Sequence, residues 1–215
     1  MHGAAPIWRE SFVNIYFRLS LLLFLICAIA AGALAIVNSM TYQQIMQNEE
    51  SKERILRGRA LAGAEKGPQV VFDDKPVRIN ETNYYIGRLD DEIVGATFTT
   101  VTNQGYGGPI EIVIGMNDDR ITGVMIKSSS ETPGLGANAS AVKYGESEPW
   151  FLAQFKNLEP EHVSLKKDDP AGAIDAITAA TITSRAITNA VREEAKEFES
   201  VWPQLLEQKK YVSTN

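Results

Sequence analysis

The sequence has very few residues of the kinds that carry out acid–base or metal chemistry. Its 215 residues include one cysteine, Cys27, and two histidines, His2 at the N-terminus and an isolated His162. No C-x-x-C, H-E-x-x-H or G-x-G-x-x-G pattern occurs, which argues against the common zinc, thiol redox and dinucleotide sites. The pair Asp168 and Asp169 lacks the oxygen spacing of an EF-hand loop and is interpreted as a solvated turn. We therefore expect neither a metal site nor a histidine-based catalytic site.

Basic residues are outnumbered, and cysteine is too scarce for disulfides. The chain carries 27 acidic and 21 basic residues, a formal net charge of −6. Nucleic-acid binding depends on neutralising phosphates with lysine and arginine, so this balance predicts no nucleic-acid partner. Because Cys27 is the single cysteine, no intramolecular disulfide can form.

One apolar run is long enough to cross a membrane. Leu19–Val37, LSLLLFLICAIAAGALAIV, carries no charge. As a helix that rises ~1.5 Å per residue, the run would be roughly 28 Å long, close to the thickness of a bilayer's hydrocarbon core. A buried helix of a soluble protein is the alternative, but such a helix would normally show a polar face, and this run has none. The sequence therefore predicts a transmembrane helix over residues 19–37.

This run is interpreted as a retained anchor rather than a cleaved signal peptide. Ala33–Ala35 resembles a signal-peptidase site, but the run exceeds the ~7–15 residues of a typical signal-peptide apolar region. Arg9 and Arg18 precede the run, whereas the segment directly after it carries no basic residue. The positive-inside rule then places residues 1–18 in the cytoplasm and residues from about 40 onward outside it.

The rest of the chain predicts a helical stalk and an α+β domain. Residues 38–62 have helical composition with no breaker before Gly58, which leaves residues 63–215 as the domain. Strands are predicted where β-branched residues are dense, and the turn NDDR between the last two favours an antiparallel hairpin. The predicted strands are Val94–Thr102, Ile110–Met116 and Ile121–Ser128.

Two helices are predicted to flank this sheet. The first is Glu148–Lys156, and the second shows apolar residues at three- and four-residue spacing over 187–205. The second helix is expected to begin just after the segment that ends at Ser184, with Thr183 or Ser184 as its N-cap, and to end or kink at Pro203. The predicted fold class is α+β, with a single N-terminal transmembrane helix, a small antiparallel sheet and flanking helices.

Three glycine- or hydroxyl-rich segments are the candidates for binding. GYGGPI (105–110) precedes a strand and SSSETPGLGA (128–137) follows one, and their glycines permit either tight turns or close backbone approach to a ligand. The decamer DAITAATITS (175–184) places hydroxyls before a helix N-terminus, which favours phosphate. It lacks the glycines and lysine of a P-loop, and Arg185 is the one cation beside it. A phosphate held by esterification fits this composition, and a capped helix with a threonine-rich lead-in is the alternative.

The three segments, in this order behind one anchor, resemble the FMN-binding subunits of the Rnf and sodium-pumping NADH:quinone reductase complexes. The resemblance covers most of the outer domain and rests on GYGGPI, ETPGLG and D-x-x-T-x-A-T-x-T/S. In that family a flavin transferase splits FAD and links FMN through its phosphate to the final core threonine of the last motif, which corresponds to Thr181. Asp175 matches the motif's acidic residue and Thr178 its small hydroxyl residue. The family usually has glycine where this chain has Ala179.

The resemblance implies a cofactor site built around FMN that is covalently attached to Thr181. In the family the ETPGLG loop lies beside the flavin, and neither a catalytic side chain nor a metal ion is implied. The implied cofactor-binding residues are Thr181, Thr178, Ala180, Ile182, Thr183, Ser184, Asp175, Glu131, Thr132, Gly134, Leu135 and Gly136.

The resemblance also implies a redox relay without independent turnover. The chain would carry electrons through FMN within a membrane ion-translocating ferredoxin:NAD⁺ oxidoreductase, in the manner of the G subunit of Rnf. Its implied partners are the other membrane and iron–sulfur subunits and the flavin transferase. Its implied location is the bacterial inner membrane, single-pass, with the flavin domain on the periplasmic side. Three alternatives stay open: the C subunit of the sodium-pumping quinone reductase, a membrane-anchored flavin-binding sensor, and an anchored interaction domain without a cofactor.

Overall fold

The computed structural model describes residues 8–66, 69–73, 75–142 and 145–212, which fall into two compact units divided after Ser51. Helix α1 (Trp8–Lys66) contributes to both units, with non-helical geometry at Gly63. The first unit is helical from residue 8 onward, and its described apolar side chains are exposed, such as Leu34 at 72%. The stretch Ile15–Gly63 is long enough and apolar enough to cross a membrane, with a mean hydropathy of 2.8 in its most apolar window.

The second unit contains an antiparallel sheet. Its strands are β1 (Val71–Phe72), β2 (Val77–Ile79), β3 (Thr82–Leu89), β4 (Glu92–Thr102), β5 (Ile110–Asn117) and β6 (Arg120–Ser129). The strand order is β1-β3-β4-β5-β6, and β2 also pairs with β3. The predicted hairpin is confirmed, because Asn117 pairs with Arg120 across a two-residue turn. The sheet is also larger than the predicted three strands.

Two further helices follow the sheet, with bounds that differ from the predicted ones. Helix α2 is Trp150–Ala153, shorter than expected, and helix α3 is Thr181–Val212. Helix α3 therefore begins inside the decamer, and it continues through Pro203 rather than ending there. Two short 3-10 turns, Gly136–Ser140 and Pro160–His162, lie between the last strand and α3.

Helix α3 packs on one face of the sheet through aromatic side chains. Phe198 of α3 stacks on Phe98 of β4 with ring centroids 5.5 Å apart, and Tyr84 of β3 meets Phe98 edge-on at 5.3 Å. Trp202, one turn further along α3, lies 5.2 Å from Phe198. Aromatic pairs with these geometries add about 0.5–1.5 kcal/mol each beyond the apolar area that they bury. This face holds the main core of the unit and sets the position of α3.

The other face of the sheet is lined by glycines, and the last turns of α1 lie close against it. Gly115 and Gly123 are cross-strand partners, and the backbone of Ala60 lies directly over them. The hydroxyl of Thr122 donates a hydrogen bond of 2.7 Å to the Ala60 carbonyl oxygen. Because glycine has no Cβ, the helix backbone can approach the sheet more closely than side chains would allow.

Charged and aromatic side chains also hold the C-terminal part of α1 at the margin of the sheet. The Arg57 guanidinium lies 3.3 Å from the centroid of the Tyr85 ring and also pairs with Glu53 at 2.6 Å. Lys127 of β6 bridges Glu53 at 3.5 Å and Glu111 at 2.7 Å. The sheet is thus enclosed by α3 on one face and by residues 53–61 on the other.

Gly115→Ala should lower the free energy of unfolding of the second unit by about 1–3 kcal/mol, as overpacking does. The added methyl group would lie 2.6 Å from the Ala60 carbonyl carbon and 2.7 Å from the Thr122 hydroxyl. Urea denaturation of the full chain in detergent, followed by tryptophan fluorescence, measures the change. Gly32→Ala is the control, since a methyl group there meets nothing within 4 Å. An unchanged midpoint for Gly115→Ala would contradict the close packing.

Candidate functional site

A cavity of about 430 Å³ lies at the N-terminal end of α3. It brings together the three glycine- or hydroxyl-rich segments, although Tyr106 and Thr183 are 77 positions apart along the chain. Each segment occupies one side: the glycine-rich turn before β5, the loop after β6 and the decamer that leads into α3. The lining residues are Tyr106, Glu131, Thr132, Leu135, Gly136, Ala179, Ala180, Thr181, Ile182 and Thr183.

The decamer folds into a tight turn that ends as the helix begins. The Ala180 N–H donates to the Ile177 carbonyl at 3.0 Å, and the Ala180 carbonyl accepts the Ser184 N–H at 3.0 Å. Ala180 therefore occupies the N-cap position, and the expected N-cap at Thr183 or Ser184 is wrong. The reason is that the Ser184 hydroxyl is used elsewhere: it accepts the Ile177 N–H at 2.9 Å and donates to the Ala180 carbonyl at 2.9 Å.

The backbone N–H groups of the first turn of α3 lie at the end of the helix that borders the cavity. Thr181, Ile182 and Thr183 are its first residues, and all line the cavity. The N–H groups of a helix's first turn have no partner within the helix and carry the positive end of its dipole. An anion such as phosphate is favoured at this position.

Ala179 adopts a backbone conformation that favours glycine. Its φ is 60°, in the left-handed region, where a Cβ approaches the following carbonyl oxygen at a cost of about 1–2 kcal/mol. The family to which the sequence is similar usually has glycine at this position, and the left-handed φ gives the physical reason. Ala179 thus keeps the turn of the decamer at the expense of local strain.

The loop after β6 is closed by its own hydrogen bonds. The Thr132 carbonyl accepts the Leu135 N–H at 3.1 Å and the Ala137 N–H at 3.3 Å, while Asn138 donates its side-chain amide to the Gly134 carbonyl at 2.8 Å. A Cβ on Gly136 would collide with the Glu131 carboxylate and lie 2.6 Å from the Thr183 hydroxyl. The absence of that Cβ allows the loop to pack directly on the first turn of α3.

Most of the residues implied by the family resemblance line the cavity. Those that do are Thr181, Ala180, Ile182, Thr183, Glu131, Thr132, Leu135 and Gly136. Four others do not line it. Asp175 is exposed and pairs with Lys166 at 2.7 Å, Ser184 is buried, and Thr178 and Gly134 are exposed outside the lining.

Two lining residues are absent from that set. Tyr106 belongs to GYGGPI, for which a tight turn is one interpretation, and the aromatic ring between its glycines is the signal for a further role. Ala179 stands out in the sequence only as a departure from the family motif. Ala179 has no polar side-chain group that would mark it as a ligand contact from sequence alone. Tyr106 has only its hydroxyl.

Two basic side chains near the decamer, Arg185 and Lys166, are engaged in ion pairs. Arg185 donates two hydrogen bonds of 2.6 Å to Asp168, and this guanidinium holds the pKa of the Asp168 carboxyl below its usual range. Lys166 is paired with Asp175. Among the described residues that line the cavity, none is basic, and the single ionisable carboxylate is Glu131. The cavity therefore attracts an anion through the backbone of α3 rather than through cationic side chains.

Comparison with known proteins relates the chain to a flavin-binding family. A family model described as "FMN-binding domain" matches residues 105–196. The G subunit of the Na(+)-translocating ferredoxin:NAD(+) oxidoreductase complex of Acetobacterium woodii is 34% identical over 87% of this chain and 94% of that protein. The G subunit of the ion-translocating oxidoreductase complex of Methanosarcina acetivorans is 35% identical over 77% of this chain and 85% of that protein.

A solved structure shares the fold at much lower identity. The crystal structure of the C subunit of Na(+)-translocating NADH-quinone reductase from Parabacteroides distasonis superposes with a TM-score of 0.53 and 17% identity. The likeness covers 74% of this chain and 94% of that one. At this identity the likeness concerns the fold alone.

Ala179→Gly should raise the free energy of unfolding by about 1 kcal/mol, because it removes the left-handed strain at the cost of a more flexible unfolded chain. The measurement is urea denaturation of the full chain in detergent. Ala180→Gly is the matched control, since the described residues with positive φ do not include Ala180. The control should lower the free energy of unfolding by about 0.5–1 kcal/mol, because glycine makes the unfolded chain more flexible. Destabilisation by both variants would contradict the strain at Ala179.

Proposed function

Because the chain belongs to the G-subunit family of ion-translocating ferredoxin:NAD⁺ oxidoreductase complexes, we propose that it relays electrons through FMN joined to Thr181 by a phosphoester. The observation that carries this proposal is the cavity at the start of α3, which joins the three motifs in one site within the FMN-binding domain. The chain is one component of a redox complex, and no turnover is expected of it alone.

The residues present fit this cofactor in size and chemistry. Cavities that bind small molecules commonly measure about 300–1,000 Å³ and combine apolar walls with a few polar groups. The cavity here has about 430 Å³, apolar surface from Leu135, Ile182 and Tyr106, and hydroxyls from Thr132 and Thr181. The N-terminus of α3 would hold the phosphate, and the apolar side chains would contact the planar ring.

The charge distribution supports a covalent rather than an ionic attachment. Free FMN carries a phosphate with up to two negative charges, and the described lining offers it hydroxyls and backbone N–H groups but no basic side chain, beside the carboxylate of Glu131. Arg185 and Lys166 are engaged with Asp168 and Asp175. A phosphodiester has one negative charge, which the end of a helix dipole stabilises without a cation.

Accessibility supports Thr181 among the four hydroxyls of the decamer. Thr183 is 1% exposed and Ser184 is 0% exposed, and the Ser184 hydroxyl already makes two hydrogen bonds. Thr178 is exposed but lies outside the cavity lining. Thr181 is half-buried, lines the cavity and begins the helix. A transferase could reach its hydroxyl, and the attached phosphate would remain at the helix N-terminus.

The bound flavin would supply one-electron transfer, and the residues of the chain would hold and orient it. The proposal places the FMN-binding domain on the periplasmic side of a bacterial inner membrane, because arginines precede the apolar run. Attachment there would require a flavin transferase that uses FAD. Covalent linkage would keep the cofactor on the protein in a compartment from which free FMN is lost by diffusion.

The C subunit of the sodium-pumping quinone reductase is the less supported assignment. Its solved relative shares 17% identity with this chain, whereas the G-subunit relatives reach 34% and 35% over most of both chains. The flavin-binding sensor and the cofactor-free domain have no specific observation in their favour.

Thr181→Ala should abolish the covalent flavin. The full-length protein, produced in cells that contain the transferase, is expected to fluoresce on a denaturing gel and to carry the mass of FMN less one water. Removing the acceptor hydroxyl should remove both signals. Thr181→Ser should retain part of the added mass, because it restores a hydroxyl.

Ser200→Ala is the matched control, since it removes an exposed hydroxyl from the same helix. It should retain the full added mass. A wild-type chain without added mass would contradict covalent attachment. Flavin that persists in Thr181→Ala would contradict the assigned residue.

Affinity purification from native membranes should recover multi-helix membrane subunits and iron–sulfur subunits together with this chain. The reason is that a relay works only within electron-transfer distance of a donor and an acceptor. The measurement is mass spectrometry of the gently solubilised complex. Recovery of the flavoprotein alone under conditions that keep other respiratory complexes intact would favour a sensor.

A further inference from the structure

Tyr106 is the aromatic residue among the described residues that line the cavity. Its side chain is 71% exposed, although it is large and mostly apolar. Leu135 and Ile182, which line the same cavity, are 39% and 51% exposed. An exposed aromatic ring at the edge of a ligand cavity provides a flat surface on which another planar π system can stack.

The turn that carries Tyr106 is held closely against the end of β6. A Cβ on Gly107 would lie 2.9 Å from the Glu131 Cα, and one on Gly105 would lie 2.7 Å from the Glu131 carboxylate. Side chains at both flanking positions are therefore excluded by contact with Glu131 and its neighbour Ser130. The exposure of Tyr106 thus belongs to a tightly packed turn rather than to a loosely held loop.

Glu131 connects this turn to the rest of the site. Its carboxylate accepts the Gly107 N–H at 3.1 Å, and the side chain is 7% exposed. The same carboxylate lies against Gly136, where the Thr183 hydroxyl also approaches. Glu131 therefore contacts the glycine-rich turn directly and lies close to the first turn of α3, where Thr181 is located.

We infer that Tyr106 is the stacking surface for the flavin ring and that Glu131 is a positioning residue that holds the tyrosine in place. This inference rests on the proposed function, since it concerns flavin attached at Thr181. The phenol ring is electron-rich and the oxidised flavin ring is electron-poor, which favours stacking between them. Stacking would fix the orientation of a cofactor that is otherwise attached only through a flexible ribityl phosphate chain.

Variants at Tyr106 separate ring contact from electron donation. A phenol in contact with an excited flavin donates an electron to it and quenches its fluorescence, whereas a phenyl ring does not. Tyr106→Phe should raise the flavin fluorescence yield severalfold and keep the slow decay of its anisotropy. Tyr106→Leu should raise the fluorescence yield and also shorten the anisotropy decay, because the flavin ring is then mobile. Both are measured on the full-length flavinylated chain in detergent.

Variants at Glu131 test the positioning role. Glu131→Gln keeps an oxygen that accepts the Gly107 N–H and should stay close to wild type in yield and anisotropy. Glu131→Ala loses the acceptor and should resemble Tyr106→Leu. If Glu131→Ala does not fold, as judged by circular dichroism, Glu131→Asp replaces it, because its shorter side chain draws the carboxylate away from the Gly107 N–H. Wild-type yield and anisotropy in the folded variant would overturn the positioning role.

Tyr85→Phe is the matched control, because its ring contacts Arg57 and it does not line the cavity. It should leave the flavin signals unchanged. Intact mass reports flavin content in every sample. Full flavin content with an unchanged fluorescence yield in Tyr106→Phe and Tyr106→Leu would overturn the stacking inference alone. Absence of flavin from the wild-type chain would overturn the proposed function and, with it, this inference.

Discussion

The packing of α3 on the sheet determines where the cavity lies. Phe198 stacks on Phe98 of the central strand, so the axis of α3 and its N-terminus are placed by core aromatic contacts rather than by the site itself. The loop after β6 then contacts the first turn of the helix, and the glycine-rich turn contacts that loop through Glu131. A change in the core packing would therefore move Thr181 relative to both of the other segments.

Part of this architecture is predictable from local sequence. The hairpin at NDDR and the amphipathic helix follow from patterns of a few residues, because turn propensity and 3.6-residue periodicity are local properties. Strand β3 is not among the predicted strands, because Gly87 interrupts its β-branched and aromatic pattern. That glycine serves a tertiary contact: a Cβ there would collide with Leu61 and lie 2.9 Å from Val70.

The site also combines local features that can be predicted from sequence with tertiary features that cannot. The three motifs are each contiguous in sequence and can be identified together, but the geometry within them depends on competing hydrogen bonds. Ser184 is a good N-cap residue by preference, yet its hydroxyl satisfies Ile177 and Ala180 instead, so the helix begins earlier. The position of Tyr106 at the cavity depends on tertiary structure, because its turn is hydrogen-bonded to Glu131, which is 24 residues from Gly107 in the sequence.

The openness of the cavity accounts for the form of attachment in the proposed function. Sites that retain a cofactor by non-covalent contacts usually bury about 70–90% of its surface. Here Tyr106, Ile182 and Leu135 are substantially exposed, and the described lining has no basic side chain to bind a phosphate. A site this open would release FMN that was held by contact alone. A phosphoester at Thr181 would remove the need for burial, and the flavin would then be accessible to electron-transfer partners while it stays bound to the protein.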